Sequence, residues 1–310
     1  MSNRSWLVVS GNSEKKLGKA VGTSADAIIV DLVGTDPLDT GDATRQRAAQ
    51  WLQAHRSDVI TGHSARWVRI NPLESSTAWR QDLLAVMPTA PEGIVLPRAA
   101  GPEAVRQLAA ELYELEQVHQ IPANTTRIIP LVGETAQSAL TIGQYLESGH
   151  QRLFGLAWGA GELASSISAT RSKDDGGELT DAFRHVRSQV LLTAHACGIL
   201  AIDTVPADAG DKKSLDAAAN SARADGFSGM IAGQADQIAA INGAFAPSDE
   251  EIREARDIVA AFDADPLSGA LSYQGRTIDK PHLKLAQRTL GLEQTALQSQ
   301  SQSAPILRPA

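Results

Sequence analysis

Residues 93–132 read GIVLPRAAGPEAVRQLAAELYELEQVHQIPANTTRIIPLV. The segment opens on a short apolar run, Gly93 to Pro97, and closes on another, Arg127 to Val132, with a helical stretch from Pro102 to Val118 between them. Along that stretch Val105, Leu108, Ala109, Leu112 and Leu115 recur three or four positions apart, which gathers them on one stripe of a helix. The flanking runs do not alternate apolar with polar residues. Both of their faces therefore want burial, as in parallel strands covered by crossover helices.

The same unit recurs outward in both directions. Apolar, β-branched runs bounded by Gly, Pro, Asn or Asp fall at Trp6 to Ser10, Ala27 to Val33, Trp67 to Asn71, Gly93 to Pro97, Arg127 to Val132, Leu153 to Gly159, Ile199 to Val205 and Gly226 to Ala232. Their starts recur about every 31 residues, close to the ~30 expected when a barrel of ~250 residues carries eight units. An open doubly wound sheet would show fewer strands and a Gly-rich phosphate turn after the first, and that turn is absent. The pattern predicts a (β/α)8 TIM barrel over 1–246 with a C-terminal helical extension over 247–296.

The extension opens at Ser248 with a capping box completed by Glu251, runs through LSYQGRTIDKP, and ends in a helix from about Pro281 to Leu292. Residues 297–310 are Ser/Gln-rich and read as a loose tail. Within the barrel a helix is expected over Asp181 to Ala196, and the polar segment Ser165 to Thr180 before it falls over the mouth, as a substrate lid or a solvated loop.

With 43% hydrophobic and 21% charged residues, the 310-residue chain can bury a large core. Its net charge of −8, without long runs of one sign, speaks against nucleic acid or an anionic membrane as partner. One cysteine, Cys197, allows no internal disulfide and sits in the apolar stretch LLTAHACGIL, where a buried thiol is expected. The start MSNRSWLVVSGNSEKK lacks the features of a secretory signal, and no segment approaches ~18 uninterrupted apolar residues, so the expected location is cytoplasmic.

Barrel enzymes carry their chemistry at the carboxyl ends of the strands. Polar residues at or after those ends are Asp31, Arg69, Asn71, Arg98, Glu134, Glu162 and Asp203. Glu134 and Glu162 follow adjacent strands in Gly-containing turns, LVGET and WGAGEL. They can supply the hard oxygen ligands of a Mg²⁺ ion or cap the helices that follow them. Arg69, in the apolar strand WVRIN, needs an anion, which is either Asp31 on the neighbouring strand or a substrate. Asp279 lies beyond the barrel and reads as a solvated acid, and His195 as a packed or surface imidazole. No Ser-His-Asp set, CxxC pair or P-loop is present.

The motifs RSWLVVSGN, ADAIIVDL, VRINP, GIVLPR, GETA, WGAGELA, RHVRSQVLLTAHACGILAIDTV, GFSG, INGAFAPSDEEI and GRTIDKP stand in an order that resembles the citrate lyase beta subunit-like branch of the HpcH/HpaI aldolase family, from about Arg4 to Leu292. The resemblance implies a Mg²⁺-dependent barrel, commonly a homotrimer, that makes or breaks a carbon–carbon bond between an acyl-CoA and a keto acid or aldehyde acid. It implies Glu134 as first metal ligand. Glu162 takes the place of the Asp of a GAEDL-type motif as the second, one methylene longer. Arg69 of the RIN motif is implied to bind substrate, and Asp279 to serve a neighbouring subunit's site as acid/base.

Several positions depart from the family pattern. The DLED motif reads DLVG, so Val33 and Gly34 replace two acids; Ser13 stands where an Arg is usual; and GMIAGQADQ puts Met230, Gln234 and Ala235 where Lys, His and Pro are usual. The lost cations weaken the expected grip on CoA. The leading expectation is a Mg²⁺-dependent lyase of a 3-hydroxyacyl-CoA such as malyl- or citramalyl-CoA. A metal-dependent pyruvate aldolase that needs no CoA, and a non-catalytic paralogue, stay open beside it.

Overall fold

A computed structural model describes residues 3–34, 41–56, 64–74, 77–147, 149–206, 209–266 and 268–291. Eight strands, β1 (Ser5–Ser10), β2 (Ala27–Asp31), β3 (Ala65–Arg69), β4 (Gly93–Leu96), β5 (Arg127–Pro130), β6 (Gly155–Ala157), β7 (Leu200–Thr204) and β8 (Gly229–Ala232), form one parallel sheet in the order β5-β4-β3-β2-β1-β8-β7-β6. Its ends meet through parallel bridges Ile128↔Leu153 and Leu131↔Ala157, where the Phe154 amide donates to the Ile128 carbonyl at 2.9 Å and that of Val132 to Ala157 at 2.8 Å. The sheet is thereby closed into the expected barrel.

The helices are α1 (Glu14–Ala20), α2 (Asp42–Ala54), α3 (Ala78–Val86), α4 (Pro102–Val118), α5 (Ala136–Leu140), α6 (Ala160–Ser166), α7 (Asp181–Ala196), α8 (Lys212–Asp225) and α9 (Ile238–Phe245). On α4 the whole stripe from Val105 to Leu115 is buried. Burying such side chains contributes about 1.5–3 kcal/mol for each large one. The eighth strand starts later than expected, because Gly226 is the left-handed cap of α8 at φ 105° and so belongs to the helix end.

Two cores share the sheet, one on each face. Inside lie Trp6, Ala27, Ile29, Trp67, Val95, Ile129, Leu131, Ala157 and Ile202, and the larger outer core joins the sheet to the helices. Trp6 meets Trp67 edge-on at 5.3 Å, and Trp67 lies 5.4 Å from Phe154. A Cβ on Gly93 would stand 2.2 Å from the Trp67 ring, so that strand must start with glycine. Trp6 and Phe154 sit at strand starts and fill the amino-terminal end. With a side-chain period of two, the inward series Ala27-Ile29 and Ala65-Trp67 continue to Asp31 and Arg69 at the other end. Polar chemistry is thus confined to the mouth.

The chain divides into two compact units, Met1–Phe245 and Ala246–Ala310. In the second, α10 (Asp249–Ala264) starts from the expected capping box of Ser248 and Glu251. The stretch LSYQGRTIDKP folds as a hairpin of β9 (Ala270–Tyr273) and β10 (Arg276–Asp279), followed by α11 (Lys280–Thr289). Gln274 and Gly275 both take positive φ, 48° and 76°, as a tight two-residue hairpin turn requires. Ala255, Ile258, Phe262, Ile278 and Ala286 form this unit's own core. Residues 297–310 lie outside the described residues. Among the described residues no helix is long and apolar enough to cross a membrane.

Candidate functional site

Four of the polar residues expected at the mouth form one electrostatic unit there. Arg69 donates from Nε to Asp31 Oδ1 at 2.8 Å and from Nη2 to Asp31 Oδ2 at 2.7 Å. Of the two partners expected for Arg69, the structure shows Asp31, which answers the buried charge; Nη1 has no protein partner among the described residues. The Asp31 pair raises the Arg69 pKa against the opposing effect of burial, and the charges of Glu134 and Glu162 raise it further.

Glu134 is almost fully buried, and its Oε2 accepts from the Arg98 amide at 2.6 Å. It does not cap the next helix. Thr135 does that, in a reciprocal box with Ser138. Arg98 presents its amide from a left-handed conformation, φ 52°, that a non-glycine residue adopts at some cost. Burial pushes the Glu134 carboxyl up to about 7; the Arg98 amide opposes this, the nearby charge of Glu162 adds to it, and Arg69 and Arg98 oppose it.

Glu162 sits in the first turn of α6, exposed, with Gly159 as the N-cap residue. A Cβ built on Gly159 would stand 2.7 Å from Glu162 Oε2 and 3.6 Å from Glu134 Oε1. One oxygen of each carboxylate therefore borders the same small space, and the missing side chain at position 159 keeps it open. A buried carboxylate that resists ionisation, a second carboxylate beside it and a space between them fit a Mg²⁺ ion, which takes one or two carboxylates and completes its octahedron with waters and substrate oxygens. Among the described residues no group of three or more Asp, Glu, His or Cys gathers in a way that could hold a metal.

Other candidates have structural work. Asn71 donates from Nδ2 to Asp82, which also pairs with Arg45. Ser13 caps α1 by accepting from the Lys16 amide. Met230 is buried in the outer core, so its side chain faces the helices and not the mouth. Gln234 forms a capping box with Gln237. His195 meets the Gly226 carbonyl at 2.9 Å, and the half-buried Cys197 lies near the Tyr145 carbonyl, its pKa raised by burial. The Ser165 to Thr180 segment begins inside α6 and then forms a loop closed by a Lys173↔Leu179 bridge.

Asp279 belongs to the second unit. It caps α11, with His282 Nδ1 against its Oδ1, and that hydrogen bond holds its pKa below the usual carboxylate range. Two residues that sequence reading did not single out matter here. Gly159 shapes the space between the carboxylates, and Trp158, just before it, is buried. A tryptophan in a Gly-rich turn at a strand end was the available signal.

The family profile described as HpcH/HpaI aldolase/citrate lyase matches residues 4–261. The chain is 31% identical to the mitochondrial citramalyl-CoA lyase of Rattus norvegicus, over 93% of this chain and 85% of that one. It is 30% identical to the (3S)-malyl-CoA thioesterase of Cereibacter sphaeroides, over 93% of each. Its fold superposes with a TM-score of 0.70, at 29% identity, on CitE of Mycobacterium tuberculosis in complex with magnesium, acetoacetate and coenzyme A, covering 94% of this chain and 98% of that one.

Proposed function

We propose, from the premise that this chain belongs to the HpcH/HpaI aldolase/citrate lyase family, that it is a Mg²⁺-dependent carbon–carbon lyase acting on a 3-hydroxyacyl-CoA of the malyl or citramalyl type. The observation that carries the reading is the convergence of Glu134 Oε1 and Glu162 Oε2 on the space left by Gly159. Those two carboxylates would hold the metal. Once bound, it would supply Lewis-acid stabilisation where negative charge develops on substrate oxygens.

The chain's own residues do the rest. Asp31 fixes the Arg69 guanidinium in plane and leaves Nη1 for a substrate carboxylate. The Arg98 amide holds Glu134 Oε2 and so turns Oε1 to the metal side. In the cleavage direction the hydroxyl proton would pass to the ionised Asp279 of a neighbouring subunit, the bond between the hydroxyl-bearing carbon and the thioester α-carbon breaks, the electron pair passes to the thioester enolate, and Asp279 would return the proton to the enolate carbon. This role requires a homo-oligomer, a trimer or a hexamer by family resemblance, with the extension that follows the barrel reaching a neighbour. The partners are then small molecules, an acyl-CoA and a keto acid, and the compartment is the cytoplasm.

The experiment is turnover of citramalyl-CoA and malyl-CoA, with quantification of acetyl-CoA and of pyruvate or glyoxylate, with and without Mg²⁺. Metal-dependent release of both products in equal amounts is expected. Condensation of pyruvate with an aldehyde at a rate indifferent to CoA would replace this reading with a CoA-free aldolase.

A further inference from the structure

Asp203 was singled out as a polar residue at a strand end, yet its side chain points away from the mouth. On β7 the inward series is Leu200 and Ile202, so Asp203 faces the helix layer, where it is 4% exposed. A carboxylate so buried needs partners on both oxygens. Oδ1 accepts from the Trp158 indole Nε1 at 2.8 Å and from the Thr204 amide at 2.9 Å. Oδ2 is held by Arg187 of α7, from Nε at 2.9 Å and Nη2 at 2.8 Å. Arg187 is itself anchored by Asp225 at 2.7 Å and lies over the Phe227 ring.

The next residue grips the same place from the other side. Thr204 Oγ1 donates to the carbonyl of Trp158. Trp158 is therefore held at its indole and at its backbone by two consecutive residues of β7. Its other neighbours are the two turns that carry the carboxylates: Gly159 follows it directly and caps α6, while a Cβ on Gly133, the residue before Glu134, would stand 3.9 Å from the Trp158 Cβ. Gly133 has φ 79° and meets Val186 of α7 as well.

We infer that Asp203 and Thr204 are positioning residues that act through Trp158 to fix the spacing of Glu134 and Glu162. The inference rests on the reading of those two carboxylates as metal ligands. A Mg²⁺ site demands tight geometry at about 2.0–2.1 Å, whereas Ca²⁺ accepts a looser one at about 2.3–2.6 Å. Loosening Trp158 should therefore weaken Mg²⁺ binding and erode the preference for Mg²⁺ over Ca²⁺. A contact that only supported the fold would lower the melting temperature and leave that preference intact.

The test is calorimetric titration of the full chain with MgCl₂ and, separately, CaCl₂, for wild type, Thr204→Val, Thr204→Ser and Trp158→Phe. Valine keeps the shape of threonine without the hydroxyl, and serine restores the hydroxyl. The expected result is a Mg²⁺ Kd raised about tenfold or more in Thr204→Val and Trp158→Phe, as supporting-shell changes do, with a smaller Mg²⁺/Ca²⁺ ratio and recovery in Thr204→Ser. Wild-type Mg²⁺ affinity in Thr204→Val, or in Trp158→Phe should the first fail to fold, overturns the inference alone. Absence of Mg²⁺ binding by the wild type overturns the metal reading and the inference with it.

Discussion

Asp31 and Arg69 are register partners on adjacent strands, and their side chains close a two-point ion pair of 2.8 and 2.7 Å at the inner rim of the barrel. The pair orients a cation and leaves its Nη1 without a protein partner among the described residues. Lysine in place of Arg69 would keep the charge and lose the fork. Arg69→Lys should lower kcat/KM about a hundredfold, with the melting temperature shifted by only a few degrees; steady-state kinetics and thermal unfolding check this. Wild-type kcat/KM in that variant would remove Arg69 from the substrate site.

Gly159 tests the metal reading most directly. A methyl group there would stand 2.7 Å from Glu162 Oε2, inside the space the metal needs. The backbone at Gly159 has φ −137°, which alanine adopts freely, so the fold should survive. Gly159→Ala is expected to lose at least tenfold in Mg²⁺ affinity, read by calorimetry, while its far-UV spectrum stays unchanged. Unaltered Mg²⁺ binding would place the metal elsewhere.

Most of the architecture was legible because burial on both faces of a parallel sheet leaves apolar runs that stand out from polar turns, as at Gly93 to Leu96 and Arg127 to Pro130. The site was less legible. The expected Glu134 and Glu162 do border one space, but what brings them there is spread over a left-handed Arg98, a missing Cβ at Gly159 and a tryptophan clamped from β7. Only the tryptophan, set in a Gly-rich turn at a strand end, has a local signature; the effect of the other two depends on which residue lies opposite in space. Met230 illustrates the reverse: it stands where the family usually has a Lys, and strand alternation turns it to the helices.

The Glu134 carboxyl, raised to about 7 by burial first and by Glu162 in addition, makes the metal-free protein pH-sensitive. Its folded pKa lies above the unfolded value, so the folded state binds the proton more tightly than the unfolded one. This contribution to stability is complete below the unfolded value of 4.5 and is lost as pH rises to about 7. Mg²⁺ competes with that proton. The stabilisation of the fold by Mg²⁺, measured as a melting-temperature shift at fixed concentration, should therefore grow between pH 5 and pH 7 and level off above, where about 7 is the Glu134 value. A Mg²⁺ shift that is flat across that range would show that no proton leaves Glu134 on binding.

Arg98 separates what its backbone does from what its side chain does. Its φ of 52° serves to aim the amide at Glu134 Oε2, and glycine reaches that conformation without the Cβ penalty. Arg98→Gly keeps the amide donor and should raise stability by about 1 kcal/mol, since the left-handed region costs L-residues roughly 1–2 kcal/mol. Mg²⁺ affinity should stay within about threefold of wild type, because a net hydrogen bond of ~1 kcal/mol is retained. Arg98→Val has the opposite expectation, because a β-branched residue is poorly tolerated at positive φ: the turn opens, the amide swings off Glu134, and both stability and Mg²⁺ binding fall. Denaturant unfolding and calorimetry on the two variants distinguish the backbone role from a guanidinium role, in which glycine and valine would lose Mg²⁺ affinity equally.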